Sequence, residues 1–381
     1  MKKVLIWETL PIIGGGQKIS IIVAEALANN FEVEFLIPRE GELSSKLFEL
    51  GIKYEVIGDC TLPIGIKKIN AIFKFLYLSF VNISRAVKSI KKRKPDILYV
   101  PGPMAMPWGV IAGKITGVPV IWHIHHMFED AKTLKLLNYF SKSENVRGIF
   151  SVSECVANQI NSSVGKKKIH VLYNPVDYEK YSSGIKGVVR KEFRVPESSF
   201  VLSHIGILQE QKKQDLTVRA VARLVRQGHD AYGLIVGQAR QETREYAHYL
   251  KILAKDLSIE KRIILTGHRS DVNNVFSDTD AVIVAGTEGF SLIALEAMAA
   301  GKPIIAVNQG GVKEIVNLSK GGLLFRLEEA ETDIENCVLT LSNFMVKNEL
   351  VSNGKMFALL RNLDSYKQEV NKLFGELLTN F

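Results

Sequence analysis

The feature that most constrains this chain is a regular alternation of short β-rich runs with amphipathic helical patterns. In the first half, strands are predicted at residues 3–7, 32–37, 54–57, 96–100, 118–123 and 148–151, and the first helices at 17–29 and 43–50. Each strand is followed by a segment long enough for a crossover helix, which indicates a parallel sheet. The first half therefore predicts a doubly wound α/β domain over residues 1–172.

The alternation pauses over residues 173–196, a stretch with Pro, Asp and Ser that predicts a linker, and then begins again. Strands are predicted at residues 200–205, 231–236, 262–266, 281–285, 303–307 and 322–325, with helices at 215–227 and 290–300. A second α/β domain over 197–351 and a C-terminal helical segment over 352–381, packing across both domains, complete the prediction. An apolar content of 46% in 381 residues supports two cores. Ligands of such sheets bind at the carboxyl ends of the strands, so we expect the site in a cleft between the domains.

The net charge of +9 comes from one segment. Residues 61–95 contain nine basic residues and no acidic residue, so the charge of the remaining chain sums to zero. Apolar residues recur there at helical spacing and predict a basic amphipathic helix. They are Ile66, Ile69, Ile72, Phe73, Leu76, Phe80, Ile83, Val87 and Ile90. This helix either packs on the sheet as an ordinary crossover or binds anionic lipid headgroups. Because no nucleic-acid-binding motif accompanies the charge, a nucleic-acid partner is not expected.

The three cysteines, Cys60, Cys155 and Cys337, lie in no metal-binding or disulfide pattern. The first residues, MKKVLIWETLPII, are broken by Glu8 and lack a small-residue cleavage site, so they predict a buried strand rather than a signal peptide. No stretch reaches about 18 uninterrupted apolar residues, so no spanning helix is expected. We therefore expect a cytoplasmic protein that is either soluble or attached peripherally at the inner face of the membrane through the basic segment.

The segment TEGFSLIALEAMAAGKP, residues 287–303, carries the most specific chemistry. It leaves a predicted strand, passes a glycine turn and enters a helix, with Glu288 and Glu296 eight residues apart. Free amides at the helix start attract phosphate, and here they belong to Phe290, Ser291 and Leu292. A nucleoside diphosphate sugar fits this spacing, with its diphosphate on the helix start and its sugar and ribose on the two carboxylates. The alternative is a charge at a helix start and a solvated carboxylate.

Three consecutive glycines, residues 14–16, follow the first strand. They would let the backbone approach a phosphate or a sugar, or they form a tight strand-to-helix turn. The sequence GGGQKIS matches neither the Walker phosphate loop nor the dinucleotide-binding pattern. A P-loop nucleotidase and an NAD enzyme therefore both lack their motif.

The strand end IWHIHH, residues 121–126, carries three histidines. Strand alternation places His123 and His125 on one face and His126 opposite or in the loop, so we expect one of them to face the cleft. No carboxylate or cysteine completes a metal-ligand set beside them. Asp278 and Asp280, which precede a predicted buried strand, are interpreted as turn acids, and no metal site is predicted.

Together these motifs resemble those of the retaining glycosyltransferases of family 4. The donor-site resemblance lies in Glu-Gly-Phe-Ser at 288–291, in EAMAAGKPIIA at 296–306, and in Gly310, Gly311 and Glu314. The glycines at 14–16, Asn-Pro-Val-Asp at 174–177 and Gly-Gly-Leu-Leu at 321–324 are similar to further family motifs, so the resemblance covers nearly the whole chain. It implies the GT-B fold: two Rossmann-like, doubly wound parallel-sheet domains facing a cleft, with a C-terminal helix crossing back to the first domain.

The resemblance also implies residue roles. His125 would orient the donor sugar, Lys212 would stabilise the leaving diphosphate, Glu288 would hold the sugar and Glu296 the ribose. The implied donor-binding residues are Gly15, Gly16, Gly206, His268, Arg269, Gly289, Phe290, Ser291, Leu292 and Glu296. The family needs no metal and no other cofactor for this chemistry, and the turn at 267–269 would lie near the nucleotide base.

One position departs from the family pattern. In the segment GILQEQKK, residues 206–213, the family's diphosphate-binding arginine falls on Ile207. Lys212, or less readily Lys213, remains as the cation, and Arg269 is a candidate substitute. Loss of a charge-assisted contact would weaken leaving-group stabilisation by about 1.5 to 3 kcal/mol.

We therefore predict a retaining glycosyltransferase that moves a hexose-type sugar from a UDP- or GDP-linked donor to a hydroxyl of a glycan or lipid-linked acceptor, in cell-surface polysaccharide or glycolipid synthesis. Two alternatives remain open at this point. One is a sugar-nucleotide 2-epimerase, which shares the GT-B architecture. The other, suggested by Ile207, is a weakly active donor-binding subunit that supports a partner glycosyltransferase.

Overall fold

The computed structural model describes residues 1–58 and 69–379, with all their side chains except those of residues 69–74 and 242. It divides into two compact units. Unit 1 comprises Met1–Asn174 and Asp364–Phe381, and unit 2 comprises Pro175–Leu363. Cys60, Ile66, Lys67 and Lys68, which entered the sequence predictions, lie outside the described residues.

Unit 1 is built on a seven-stranded, all-parallel sheet in the order β3-β2-β1-β4-β5-β6-β7. The strands are β1 (Lys2–Trp7), β2 (Phe31–Ile37), β3 (Lys53–Val56), β4 (Ile97–Val100), β5 (Val120–Ile124), β6 (Val146–Ser151) and β7 (Ile169–Val171). The strand order reverses between β1 and β4, which is where doubly wound sheets bind ligands. Six of these strands were predicted; β7 was missed because three residues are too few for a periodic pattern.

The helices of the first part of unit 1 cover the sheet and bury large aromatic side chains against it, among them Trp7, Tyr99, Trp122 and Phe150. They are α1 (Gly15–Leu27), α2 (Glu42–Glu49), α3 (Ile69–Arg93), α4 (Ala105–Thr116), α5 (Ala131–Ser141), α6 (Glu154–Ala157) and α7 (Ser163–Lys166).

Unit 2 contains a six-stranded parallel sheet in the order β10-β9-β8-β11-β12-β13. Its strands are β8 (Phe200–Ile205), β9 (Ala231–Val236), β10 (Ile263–Gly267), β11 (Ala281–Val284), β12 (Ile304–Val307) and β13 (Gly322–Phe325). Its helices are α8 (Tyr178–Ser182), α9 (Val188–Glu192), α10 (Gln214–Arg226), α11 (Arg244–Asp256), α12 (Val272–Ser277), α13 (Leu292–Ala299), α14 (Gly310–Ser319), α15 (Ala330–Leu341) and α16 (Phe344–Leu359). The order reverses between β8 and β11, so the predicted doubly wound topology is present in both units.

Most of the segment predicted as a linker, residues 173–196, is instead part of unit 2. It contains α8 and α9, and the carboxylate of Asp278 accepts the backbone amides of Gly187 (2.5 Å), Val189 (2.7 Å) and Arg190 (3.0 Å). The Arg190 guanidinium in turn pairs with Asp280 at 2.8 Å. The two turn acids therefore hold α9 on unit 2, a contact between distant segments that local composition does not reveal.

The C-terminal segment over 352–381 was predicted as one helix, and the structure corrects this prediction. The structure has α16, which ends at Leu359 in unit 2, and a separate helix α17 (Leu363–Thr379). Between them the Arg361 carbonyl accepts the amide of Val176 at 2.9 Å, and this pairing interrupts the helix. The body of α17 belongs to unit 1, where Phe374 packs on Tyr99 and Phe150, each at 5.7 Å between ring centroids. The chain thus returns to its first domain, as the GT-B resemblance implied.

The described part of the basic segment, residues 69–95, contains α3, and the two halves of this helix differ. In the second half Asn82, Ala86, Ser89 and Ile90 are buried. In the first half Leu76 and Phe80, predicted on the same apolar side as Ile90, are 57% and 71% exposed. Only the second half therefore behaves as an ordinary crossover helix. Across the described part of the chain, no helix combines the length and the apolar content needed to cross a bilayer.

Candidate functional site

The structure brings together two of the predicted catalytic residues in unit 2. Lys212 ends a short 3-10 helix after β8, and Glu288 lies in the turn between β11 and α13. The Lys212 Nζ forms an ion pair with the Glu288 Oε1, and the side chains are 29% and 25% exposed. Gly286 permits this approach, since a Cβ there would lie 2.9 Å from the Gln211 carbonyl oxygen. A solvent-accessible cation and a carboxylate therefore meet at the carboxyl edge of the sheet.

Helix α13 begins at Leu292, two residues later than predicted. Ser291 is its N-cap, and the Ser291 hydroxyl oxygen accepts the Ala294 amide at 3.3 Å. A serine in this position satisfies one of the amides that a helix start leaves without an intrahelical acceptor. The neighbouring first-turn amides, those of Leu292 and Ile293, supply donors and the positive end of the helix dipole. Phe290 and Ser291 thus belong to the turn that precedes the helix.

The turn that carries Glu288 is held by the start of α14. The Gly311 amide donates to the Glu288 carbonyl at 2.7 Å, and a Cβ on Gly311 would lie 1.9 Å from the Gly289 carbonyl oxygen. Gly310 has φ +62°, and a Cβ on it would lie 2.8 Å from the Glu288 carbonyl oxygen. The two glycines are required here because two backbones touch, which gives a physical reason for this part of the family motif.

Glu296, the second carboxylate of the pair, lies in the second turn of α13 and is 9% exposed. The Tyr181 phenol of α8 lies beside it, and burial together with the Glu296 carboxylate raises the pKa of that phenol. Glu296 is therefore not the solvated carboxylate of the alternative interpretation. Tyr181 was not among the predicted residues.

Three glycines meet at the carboxyl ends of β8, β9 and β10. Gly206, Gly237 and Gly267 have φ values of +153°, +142° and +75°. The Gly237 amide donates to the Gly267 carbonyl at 2.9 Å, and a Cβ on Gly237 would lie 1.9 Å from the Gly206 carbonyl oxygen. A Cβ on Gly206 or Gly267 would meet nothing within 4 Å. Bare backbone is therefore open to a ligand, and Gly237 adds to the predicted set; a glycine directly after a strand was the sequence indication.

His204, also missed, is a buried imidazole beside Lys212. Its Nδ1 lies 2.9 Å from the Thr217 hydroxyl, and burial, followed by the charge of Lys212, lowers its pKa to about 3. The ring is therefore neutral at pH 7 and adds no second cation next to Lys212. A histidine inside the apolar run of β8 was the indication in the sequence.

The remaining predicted residues of unit 2 are placed differently. The Arg269 guanidinium donates to Asp271 and to Glu192, each at 2.9 Å, so its charge is compensated within the unit. His268 is exposed. At Ile207 the backbone carbonyl accepts the Gln214 side-chain amide at 3.0 Å. Binding of a diphosphate by Arg269 would require the guanidinium to leave one of its two carboxylates.

In unit 1 the predicted glycine loop is in fact the first turn of α1. Gly14 is the N-cap, Gly15 is the first helical residue, and none of the three glycines has a positive φ. A Cβ on Gly16 would lie 3.8 Å from the His125 ring. The structure therefore places the start of α1 next to His125, although backbone strain does not demand glycine there.

The histidines have the predicted alternation. The rings of His123 and His125 lie 4.1 Å apart, and His126 is exposed. The Tyr99 hydroxyl lies 2.5 Å from the His123 Nδ1. Burial lowers the pKa of His123 to about 3, and burial with His123 and His126 holds the pKa of His125 well below its usual value. Within residues 1–58 and 69–379, no group of three His, Cys, Asp or Glu side chains is placed to hold a metal ion.

Glu8, which follows β1, is a buried carboxyl that supports the start of α1. Ser20 and Gln17 donate to its oxygens at 2.5 and 3.1 Å, and burial raises its pKa. The sequence indication was an acid that interrupts an apolar run just before a glycine-rich helix start. Glu8 is a positioning group for the turn that contains Gly15 and Gly16.

Two doubly wound parallel-sheet units of seven and six strands are the architecture of the GT-B fold. Two family models match the chain. The model described as Glycosyl transferases group 1 matches residues 186–345, and the model Glycosyltransferase Family 4 matches residues 13–180. The chain belongs to this group 1 and family 4 glycosyltransferase family and is a transferase enzyme.

Relatives and solved structures agree with this family. The chain is 26% identical over 94% of both chains to the UDP-Gal:alpha-D-GlcNAc-diphosphoundecaprenol alpha-1,3-galactosyltransferase of Escherichia coli. It is 30% identical over 67% of both chains to the N-acetyl-alpha-D-glucosaminyl L-malate synthase of Bacillus anthracis. A crystal structure of Anabaena Alr3699/HepE in complex with UDP has a TM-score of 0.83 at 20% identity, over 98% of this chain and all of that chain. This last likeness concerns the fold.

Proposed function

We propose that the protein is a retaining hexosyltransferase that uses a UDP- or GDP-linked donor and a hydroxyl of a glycan or lipid-linked acceptor, in cell-surface polysaccharide or glycolipid synthesis. The observation that carries this proposal is the Lys212–Glu288 pair beside the Ser291-capped start of α13. The names of the relatives support it, since one describes a UDP-galactose donor and a diphosphoundecaprenol-linked acceptor.

Without donor, the ion pair gives the Lys212 cation and the Glu288 carboxylate each a partner of opposite charge. When the donor binds, Lys212 exchanges the Glu288 carboxylate for the diphosphate, and Glu288 accepts hydrogen bonds from sugar hydroxyls. The amides of Leu292 and Ile293 add donors to the same phosphates. Glu296 accepts the ribose hydroxyls. Lysine and helix amides together compensate the leaving group, so we propose that no metal ion takes part.

The transfer itself breaks the bond between the anomeric carbon and the phosphate oxygen and forms a bond from that carbon to the acceptor oxygen. The acceptor proton passes to the leaving phosphate, so no protein base is required. His125, neutral because its pKa is lowered by burial, orients the sugar through hydrogen bonds without adding charge near the reacting carbon. Gly15 and Gly16 lie beside it, and Gly206, His268 and Arg269 are proposed to border the nucleotide.

A lipid-linked acceptor places the reaction at a membrane surface. We propose a peripheral attachment through the basic segment, because residues 61–95 carry nine cations and no acid. Long-range attraction to anionic lipid contributes about 1 kcal/mol for each lysine or arginine close to the surface.

The test is a panel of nucleoside diphosphate sugars with the purified protein. Preferential binding of a UDP- or GDP-hexose raises the thermal unfolding temperature, and slow hydrolysis of the same donor shows that the site is active. Transfer to an added acceptor distinguishes a transferase from an epimerase, which would return a C2 epimer. Binding without any turnover would favour the partner-subunit alternative, and absence of binding to every donor would overturn the proposal.

A further inference from the structure

Helix α3 presents one exposed stripe whose two ends differ in chemistry. Its members follow helical spacing and are all exposed: Leu76, Tyr77, Phe80, Ser84, Lys88 and Lys91. From Leu76 to Lys91 the stripe runs about 22 Å at 1.5 Å of rise for each residue. We refer to these six residues as the α3 stripe.

The first end of the α3 stripe is apolar. Leu76, Tyr77 and Phe80 are 57%, 67% and 71% exposed, and Phe75 beside them is also exposed. Large apolar side chains scattered singly over a surface are ordinary, but a contiguous group of this kind indicates a contact with a partner or a membrane.

The second end of the α3 stripe is cationic, and few acidic side chains lie near its lysines to pair with them. Lys88 and Lys91 are exposed, Lys92 lies next to them, and the helix contains no acidic residue over Ile69–Arg93. Arg93 is different, because its guanidinium pairs with Glu34 and Glu55 and fastens the end of α3 to the sheet. The lysines therefore remain for an external anion, whereas Arg93 holds the helix in place.

We propose that the α3 stripe docks on an anionic phospholipid bilayer, with Leu76, Tyr77 and Phe80 entering the headgroup region and Lys88 and Lys91 contacting lipid phosphates. This deepens the proposed peripheral attachment: apolar insertion at one end of α3 accompanies electrostatic attraction at the other. The apolar face of an interfacial helix is buried about 5 to 10 Å into the boundary between headgroups and acyl chains, and lysines nearby bind anionic lipid. The combination of both chemistries on one stripe favours a bilayer over a purely polar or purely apolar partner.

The first experiment separates the two ends by sedimentation of the full chain with phosphatidylcholine vesicles, with and without phosphatidylglycerol. The Lys88→Gln/Lys91→Gln variant should lose at least tenfold in partition coefficient at low salt, and high salt should weaken binding of the parent protein to a similar extent. The Leu76→Ser/Tyr77→Ser/Phe80→Ser variant should lose at least tenfold at low salt and lose the binding that remains at high salt.

Matched controls carry the same changes elsewhere on unit 1. Lys142→Gln/Lys166→Gln removes two exposed lysines, and Phe48→Ser/Ile115→Ser/Tyr139→Ser removes three exposed apolar side chains. Both controls should bind as the parent does. The proposal would be overturned if the control variants lost as much vesicle binding as the stripe variants, or if the apolar variant bound as the parent does. It would also be overturned if the parent showed no preference for vesicles that contain phosphatidylglycerol.

Depth is measured by fluorescence. The native tryptophans Trp7, Trp108 and Trp122 are buried, so the Tyr77→Trp variant adds the one indole placed at the stripe. Brominated acyl chains should quench this added emission when the protein is bound. Bound protein without quenching would show surface adsorption alone and contradict insertion.

The biological role of this docking rests on the proposed function, a transfer to a lipid-linked acceptor, but the docking itself does not depend on that reaction. A thermal shift with UDP, measured on the same stripe variants, should equal that of the parent, because none of the residues proposed to bind the donor lies in α3. Lost vesicle binding with an unchanged UDP response thus concerns α3 alone, whereas a parent that sediments with vesicles but responds to no donor would sink the proposed function and leave docking standing.

Discussion

At the scale of single residues, Lys212 and Glu288 compensate each other's charge. In the proposed reaction the diphosphate replaces Glu288 beside Lys212, and sugar hydroxyls donate hydrogen bonds to Glu288. The Lys212 and Glu288 side chains are 29% and 25% exposed. Their ion pair therefore contributes little to the free energy of folding, about 0 to 1 kcal/mol, as most exposed ion pairs do. In the proposed function the pair therefore supplies a cation and a carboxylate for the donor rather than stability for the fold. Changes at these residues should therefore affect turnover and leave the fold nearly unchanged.

Replacing either partner tests this directly. In the proposed mechanism Lys212→Ala removes the cation for the leaving group, and Glu288→Ala removes the acceptor for sugar hydroxyls. Each variant should therefore lower kcat/KM at least tenfold, or about 1.4 kcal/mol of transition-state stabilisation. Steady-state kinetics and thermal unfolding on the same preparations provide the comparison. Full activity in either variant would contradict the assignment of the site.

Ile207 allows a test in the opposite direction. Ile207→Arg places a guanidinium where the family has one, and a charge-assisted hydrogen bond to the diphosphate contributes about 1.5 to 3 kcal/mol. The variant should turn over about tenfold faster or more. Ile207→Met, which keeps an apolar chain of similar length, serves as the control, and equal rates for the arginine and methionine variants would show that the missing cation does not limit catalysis.

At the scale of elements, the turn between β11 and α13 depends on the start of α14. Gly311→Ala would place a Cβ against the Gly289 carbonyl oxygen, so it should destabilise unit 2 by about 1 to 3 kcal/mol and lower donor affinity, because the Glu288 turn must move. Gly375→Ala is the control: it lies inside α17 with open space around it and should stabilise by about 0.5 to 1 kcal/mol. Urea unfolding measures both. A Gly311→Ala protein as stable as its parent would disprove the backbone contact.

The elements also show what the sequence could and could not predict. Buried parallel strands such as β8 and β9 were predicted to the residue, because a continuous apolar run has clear ends. The start of α13 was misplaced by two residues, since Ser291 as well as Thr287 or Glu288 can precede a helix and only the cap contact decides. The break between α16 and α17 and the burial of α9 depend on Val176 and Asp278, which act from distant parts of the chain. Periodicity contains no information on such contacts.

For the candidate site, too, local sequence motifs could be predicted and contacts between distant residues could not. Residues in dense motifs, such as Glu288 and Lys212, were predicted and are found together. Buried polar residues next to the site, such as His204 and Glu8, were missed because a single polar residue in an apolar run belongs to no recognisable motif. Gly16 and His125 were predicted separately, and their contact became visible only from the structure.

At the scale of the whole molecule, both units contain histidines whose pKa is lowered by burial, His123 and His125 in unit 1 and His204 in unit 2, and these make the stability depend on pH. The pKa of His123 in unit 1 and of His204 in unit 2 is lowered to about 3, from an unfolded value of 6.5. Unfolding therefore takes up a proton at each histidine below pH 6.5. Their stabilising contribution is complete above that value and is lost as the pH falls towards 3.

The free energy of unfolding should fall by about 1.4 kcal/mol for each such histidine when the pH is lowered by one. Urea unfolding at pH 6 and at pH 5 should show this fall for unit 1 and for unit 2. His123→Gln should reduce the proton uptake on unfolding of unit 1 by one proton. The control is His248, an exposed histidine, whose change to Gln should leave the slope as it is. An unchanged slope in the His123 variant would mean that the buried ring is not neutral in the folded unit.

The central claim is transfer with retention from a nucleoside diphosphate sugar, and the sugar released from the donor tests it most directly. Purified protein is incubated with α-linked UDP- and GDP-hexoses, and proton NMR follows the anomeric signal of the first free sugar before mutarotation. We predict that the α-anomer appears first, at a rate that Glu288→Ala lowers at least tenfold. Initial release of the β-anomer, or release that is insensitive to Glu288, would contradict it.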